Sequence, residues 1–259
     1  MILINAKPFD QFYSNNLKAI SLKGDDIHIW SASIPKSDFD ISNLEQILSG
    51  DEIERANRFR FRKHKNQFVI TRNLLRKILA LYLKSNPKEI LFEYSQFEKP
   101  YLANIHNKTQ IYFNASHSHN IVLFAFALNR SVGVDVEYVR LDFNHDEIAR
   151  RFFSDDEVEE FLSVPEESRP EAFYNCWTRK EAFIKAIGEG LSYPLKDFDV
   201  TLKPGEPASI LKIKGSRKEA ARWTLKEIEG IPGYKTALAA RAKNLEIIVR
   251  ELNLSDLKH

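Results

Sequence analysis

The sequence predicts an α+β protein of two similar halves, each a small antiparallel sheet packed with one long helix. Three observations carry that reading. Helix-period patterns occur twice, once in each half of the 259 residues. Each is set among short apolar or alternating runs of strand length. No short-period repeat, low-complexity tract or Gly/Ser linker interrupts the chain, which favours one compact body over tethered modules.

The elements follow in order. Residues 27–34 alternate around Trp30 and read as a strand, and 35–40 read as a turn or loop. In residues 66–83, Phe68, Leu75, Ile78, Leu79 and Tyr82 recur at three- and four-residue steps, which predicts an amphipathic helix. Strands are expected at 90–94, 111–113, 121–128 and 132–138, separated by turn residues. The second half repeats the order. Pro170 opens a helical stretch through Phe173, Trp177, Ile184 and Ile187, which Gly188 and Gly190 stop. Strands return at 198–202, 210–213, 236–240 and 245–249. The polar step Asn129-Arg130-Ser131 divides the halves, taken as residues 1–130 and 131–259.

Composition excludes several classes. With 43% hydrophobic residues the chain can bury a core, so disorder is not expected. Lys plus Arg number 38 against 36 Asp plus Glu, a formal charge of +2, which rules out a polycationic coat for nucleic acid or membrane. The single cysteine, Cys176, allows no internal disulfide, zinc finger or redox Cys-x-x-Cys; it lies among apolar neighbours in the second helical pattern, where a buried thiol is the ordinary outcome. A reducing, cytoplasmic location is the expectation. No signal peptide is read in the opening residues, and the longest apolar run, 121–128, falls far short of the ~20 residues a membrane helix needs.

Chemistry is concentrated in four clusters. In Val132-Gly-Val-Asp-Val-Glu-Tyr138, strand alternation puts Gly133, Asp135 and Glu137 on one face. Its two carboxylates either converge on a hard cation or form an exposed acidic face. In Trp177-Thr-Arg-Lys-Glu-Ala-Phe-Ile-Lys185, Glu181 and Lys185 share a helix face, as a surface ion pair or as a third metal ligand with a cation one turn away for phosphate. An all-oxygen trio of Asp135, Glu137 and Glu181 suits Mg²⁺ or Mn²⁺ rather than zinc. The stretch Phe113-Asn-Ala-Ser-His-Ser-His119 reads as a turn, plain or presenting Ser116 and His117 to an anion. Zinc at His117 and His119 is disfavoured, since no Cys is near and neither His64 nor His106 completes a known spacing. Ser116 lacks the Gly-x-Ser-x-Gly elbow of a hydrolase. Finally, Arg55, Arg58, Arg60, Arg62, Lys63, Lys65, Arg72, Arg76 and Lys77 crowd around Phe59, Phe61 and Phe68, either to hold phosphates or as a solvated face.

Together, Glu54-Arg-Ala-Asn-Arg-Phe59, Arg72-Asn-Leu-Leu-Arg76, Lys99-Pro-Tyr101, Phe113-Asn-Ala-Ser-His-Ser118, Gly133-Val-Asp-Val-Glu137, Trp177-Thr-Arg-Lys-Glu-Ala-Phe-Ile-Lys185 and Gly233-Tyr-Lys-Thr-Ala-Leu-Ala239 resemble, in order and spacing, the 4′-phosphopantetheinyl transferases of the surfactin-synthetase activator (Sfp) type. The resemblance implies a pseudo-dimer of the two halves with the active site at their interface, where coenzyme A and Mg²⁺ bind and an apo acyl or peptidyl carrier protein docks. It implies Asp135, Glu137 and Glu181 as metal ligands, Ser116, His117 and Lys185 on the coenzyme A phosphates, Lys99 and Pro100 in a coenzyme A-binding segment, and Arg55 for the 3′-phosphate. Glu52 stands where some members look basic. The implied reaction moves phosphopantetheine from coenzyme A to a carrier serine, with Glu181, Lys185 and His117 as the catalytic groups. Two rivals use the same residues: a Mg²⁺-dependent nuclease with the basic stretch as its track, and a non-catalytic binding module. Neither explains why all these blocks occur together, so no nucleic-acid or membrane partner is expected. A chain supplying both sides of its site is expected to be a monomer.

Overall fold

The structure is a computed structural model that describes residues 2–8, 20–34, 40–106, 108 and 110–253. In chain order the elements are β1 (Ile2–Pro8), β2 (Asp26–Ser33), α1 (Ser42–Glu45), α2 (Gly50–Asn57), α3 (Arg62–Leu83), β3 (Phe92–Tyr94), β4 (Pro100–Leu102), β5 (Ile111–Ser118), β6 (Ile121–Leu128) and β7 (Val132–Tyr138). Then come α4 (His145–Phe152), α5 (Asp155–Ser163), α6 (Arg169–Ile187), β8 (Phe198–Val200), β9 (Ile210–Ile213), α7 (Arg217–Ala220), β10 (Thr224–Lys226), β11 (Tyr234–Ala240) and β12 (Glu246–Asn253). The α+β class is as expected. Part of the loop expected at 35–40 lies outside the described residues.

A five-stranded sheet runs in the order β1-β12-β2-β6-β5, and a three-stranded antiparallel sheet in the order β10-β11-β7. Strand alternation explains how they stack. On β2 and β6, Trp30, Ala32, Val122, Phe124 and Phe126 face α3, where they meet Leu74, Leu75, Ile78 and Leu79. The intervening residues Ile27, Ile29, Leu123, Ala125 and Ala127 face the other way, onto Val132, Val134, Val136 and Leu238 of the second sheet. That sheet turns Ala237 and Ala239 toward Ala182, Phe183 and Ala186 of α6. The layers are therefore helix, sheet, sheet, helix. The unbroken apolar run of β6 follows, because both of its faces are covered.

The structure differs from the sequence reading in several elements. The expected strand at 111–113 extends through Ser118, so Ser116 and His117 stand on a strand instead of a turn. Its inner face carries Ile111 and Phe113, and its other face carries Asn114, Ser116 and Ser118, which are polar because they meet the polar edge of β7. The last strand, β12, lies parallel to β2, and β1 lies parallel to β12, so the larger sheet is mixed and residues after 245 return to the sheet of the first half. Strands β1, β4 and β10 and the short helices α1, α2, α4, α5 and α7 were not anticipated, although α2 and α5 each open with a capping box, Ser49 with Glu52 and Ser154 with Glu157. The end of α6 is as expected: Gly188 closes it at φ 87°, a left-handed cap suited to glycine. Cys176 is fully buried, and burial pushes its thiol well up.

Candidate active site

The site is built where β7 passes under α6. Gly133, Asp135 and Glu137 share the face of β7 that looks at the helix, while Val132, Val134 and Val136 fill the core between the sheets. Gly133 is what lets the two backbones meet. A Cβ there would lie 2.1 Å from the Ala182 carbonyl oxygen and 2.3 Å from the Ala186 nitrogen. Ala182 and Ala186 are neighbours of Glu181 and Lys185 in sequence, so the same approach delivers those side chains to β7. Lys180, buried completely, points the other way: it pairs with Glu157 at 2.7 Å and donates to the carbonyls of Leu195 and Phe198 at 2.7 and 2.5 Å. It ties α6 to α5 and β8 behind the site, a role the sequence reading did not assign.

Lys185 and Asp135 form the centre. Lys185 Nζ is 2.5 Å from Asp135 Oδ1 and donates to Ser116 Oγ at 2.8 Å, and Ser116 Oγ donates to the same carboxylate oxygen at 2.7 Å. Asp135 is 2% exposed and Lys185 keeps 28% of its side chain exposed, so the pair joins a buried anion to the surface. Loss of hydration, and then the Asp135 charge, push the Glu137 carboxyl up to about 7, against a hydrogen bond from Ser118 at 2.8 Å. The same two causes raise Glu181, opposed by Lys185. His117 stands on the opposite face of β5 from Ser116; partial loss of hydration at its ring, and then the Lys185 charge, hold the imidazole below its usual value, against Asp135. Glu137, Glu181 and His117 thus each feel the charges of Asp135 and Lys185. Perturbed ionisation of this kind, at the border of buried and exposed, suits a site that handles charge.

The remaining expected residues lie beside this centre. Lys99 Nζ donates to the Lys185 carbonyl, and burial lowers its ammonium to about 8. Pro100 opens β4, next to it. Arg55 is farther out, half exposed and paired with Glu98 at 3.3 Å, one residue before Lys99. The basic stretch divides. Arg72 and Arg76 are buried: Arg76 reaches Glu52 at 2.7 Å and the carbonyls of Pro87 and Ile90, and Arg72 stacks on Phe68, Phe92 and Tyr94. They support the fold and cannot serve as part of a track for nucleic acid. Glu52, 1% exposed, is their buried counter-ion and caps α2, which accounts for an acidic residue at that position.

Among the described residues, no three His, Cys, Asp or Glu side chains are gathered closely enough to hold a metal ion as placed. Lys185 engages Asp135 Oδ1 instead. The chemistry nonetheless fits a hard divalent ion. Asp135 Oδ2 is buried without a hydrogen-bond partner, and Glu137 and Glu181 are raised by neighbouring negative charge that a cation would offset. No helix among the described residues is long and apolar enough to cross a membrane.

Comparison with known proteins identifies the family. The family model for the 4′-phosphopantetheinyl transferase superfamily matches residues 131–239, and that for the 4′-phosphopantetheinyl transferase, N-terminal region matches residues 30–129. The 4′-phosphopantetheinyl transferase HetI of Nostoc sp. is 35% identical over 209 residues, covering 81% of this chain and 85% of that protein. The 4′-phosphopantetheinyl transferase psf-1 of Bacillus pumilus is 31% identical, covering 85% of this chain and 91% of its own length. Sfp of Bacillus subtilis is 29% identical, with 80% and 88% covered. Two family models spanning most of the chain, and relatives that align with about four-fifths of it, make this protein a member of the 4′-phosphopantetheinyl transferase superfamily, an Sfp-type transferase.

Proposed function

We propose that this enzyme transfers the 4′-phosphopantetheine group of coenzyme A to a serine hydroxyl of an apo acyl or peptidyl carrier protein. The serine oxygen bonds to the β-phosphorus, the bond to the bridging oxygen breaks, and 3′,5′-adenosine bisphosphate leaves. The observation that supports this most is the convergence of Ser116, Asp135 and Lys185, with Glu137 and Glu181 beside them, on residues that resemble the family's motif positions. Ser116 comes from the larger sheet, and Asp135 and Lys185 from the smaller sheet and its helix. We read the chain as a pseudo-dimer of two halves with the site at their junction, complete in a monomer acting in the cytoplasm.

Charge grows on the departing 5′-phosphate of the adenosine bisphosphate, so the task of the site is to place positive charge and donors there without reorganisation. Lys185 Nζ, whose partly exposed ammonium already serves two oxygens, donates to the pyrophosphate. Ser116 donates to a coenzyme A phosphate from the face of β5 that meets β7, and His117 to another from the opposite, exposed face of the strand. Lys99 secures the last turn of α6 through the Lys185 carbonyl and, with Pro100, borders the coenzyme A segment. Arg55 exchanges its exposed Glu98 partner for the 3′-phosphate. Glu181, on the face of α6 that meets β7, accepts the serine proton, directly or through a water. Asp135, Glu137 and Glu181 would hold Mg²⁺, or Mn²⁺ in its place, which supplies Lewis-acid charge to the diphosphate.

The experiment is intact-mass measurement of a panel of apo carrier proteins incubated with this protein, coenzyme A and Mg²⁺. A phosphopantetheine-sized gain that EDTA abolishes is expected. Coenzyme A binding without a gain on any fatty-acid, polyketide or peptide carrier would refute transfer onto those carriers. Sedimentation at twice the chain mass would refute the monomer.

A further inference from the structure

β5 and β7 are each the last strand of their sheets, and they face each other where the two sheets meet. No strand ladder joins them among the described residues. Their edges are joined by side chains from alternate positions of β5. The Val134 N–H donates to Asn114 Oδ1 at 2.9 Å, and the Tyr138 N–H donates to Ser118 Oγ at 3.1 Å. Between them Ser116 Oγ donates to Asp135 Oδ1. Ser118 has a single proton to give. With its oxygen taken by the Tyr138 amide, that proton goes to Glu137 Oε2, 2.8 Å away.

This seam specifies more than adhesion. The buried Val134 N–H demands an acceptor, and a one-residue slip of β5 would offer Phe113, Ala115 and His117 in place of Asn114, Ser116 and Ser118. The seam therefore fixes which residues of β7 oppose which of β5, and with that the direction of the Asp135 and Glu137 carboxylates. We infer that Asn114 and Ser118 are positioning residues: they lock the free edge of β7 to β5 and orient the two carboxylates of that strand for a divalent cation. The inference rests on the proposed metal-holding role of Asp135 and Glu137, and it adds two residues with no role in the reaction set out above.

The test uses the full chain with Ser118→Ala, Ser118→Thr, Asn114→Leu and Asn114→Asp, and Mn²⁺ as the probe, titrated by electron paramagnetic resonance. Ser118→Ala is expected to weaken Mn²⁺ binding about 10- to 100-fold, while at saturating Mg²⁺ its KM for coenzyme A stays within about twofold of wild type, because the Ser118 hydroxyl bonds to Glu137 and the Tyr138 amide. Amide exchange at Tyr138 is expected to quicken about tenfold, with Val139, which donates to the Gly233 carbonyl, unchanged. Ser118→Thr and Asn114→Asp, which keep an acceptor, should restore binding; Asn114→Leu should quicken exchange at Val134. Wild-type Mn²⁺ affinity in Ser118→Ala, or a loss that Ser118→Thr does not recover, overturns the inference. So does a wild-type chain that binds no Mn²⁺. A wild-type chain that binds Mn²⁺ but modifies no carrier defeats the proposed transfer reaction and leaves the seam to be judged on the binding data.

Discussion

Replacing Gly133 with alanine tests whether backbone proximity builds the site. The added Cβ would lie 2.1 Å from the Ala182 oxygen, 2.3 Å from the Ala186 nitrogen and 2.9 Å from the Ala186 Cα, all backbone atoms of one helix. No side-chain rotation relieves such a clash, so β7 and α6 must part by about 1 Å. Overpacking of this kind costs about 1–3 kcal/mol, which for a chain of this size lowers Tm by roughly 2–12 °C. Separation also moves Glu181 and Lys185, which flank the two alanines, away from Asp135 and Ser116. A misplacement near 1 Å costs about 100-fold in rate. The assay is thermal unfolding together with initial rate of carrier modification, read against Gly50→Ala, where a Cβ meets nothing within 4 Å and near-wild-type behaviour is expected. Gly133→Ala with wild-type Tm and rate would refute the argument that this glycine sets the distance between strand and helix.

Three other predictions follow from the same structure. Asp135→Asn and Glu181→Gln are each expected to abolish carrier modification while circular dichroism shows an intact fold; unchanged turnover at saturating Mg²⁺ in either would remove that residue from the site. Glu52→Gln leaves the Arg76 guanidinium buried without its counter-charge, and unfolding in urea should show a loss of about 3–5 kcal/mol, where a loss below 1 kcal/mol would contradict the buried pair. His28 is held to about 4 by burial and by Arg250, against Asp26, and its Nδ1 accepts from the Tyr82 hydroxyl, which itself accepts from Trp30 Nε1. Because the unfolded ring binds a proton at about 6.5 that the folded ring refuses until about 4, its stabilising contribution is complete above pH 6.5 and declines as pH falls to 4, by about 3 kcal/mol. His28→Gln should flatten the stability profile in that window, and an unchanged slope would assign the acid sensitivity to other groups.

Local sequence was a good guide wherever one face of an element meets oil and the other water, or where both meet oil. The apolar run of β6 and the alternation of β7 were read with their ends correct, and the three- and four-residue steps of α3 and the stop at Gly188 were read nearly so. It was a poor guide where polar side chains are buried against other polar groups. Asn114, Ser116 and Ser118 looked like a turn because their composition is that of turns, yet they line a strand whose polar face is satisfied by β7. Arg72 and Arg76 looked like a phosphate-holding or solvated face for the same reason, and Glu52, two backbone carbonyls and three aromatic rings show why they are inside.

What the sequence determined by itself was therefore periodic: which segments are strands and long helices, that Gly133, Asp135 and Glu137 share a face, and that Glu181 and Lys185 stand one helical turn apart. The order of its motifs also carried the family resemblance. Tertiary structure alone decided what meets across the chain: that Ser116 and Lys185 reach the same oxygen of Asp135, that β12 returns to the first sheet, and that β5 closes the free edge of β7 with side chains. The physical reason is that periodicity reports the average polarity of a face, whereas a hydrogen bond between residues 69 positions apart is set by the packing of the layers that carry them.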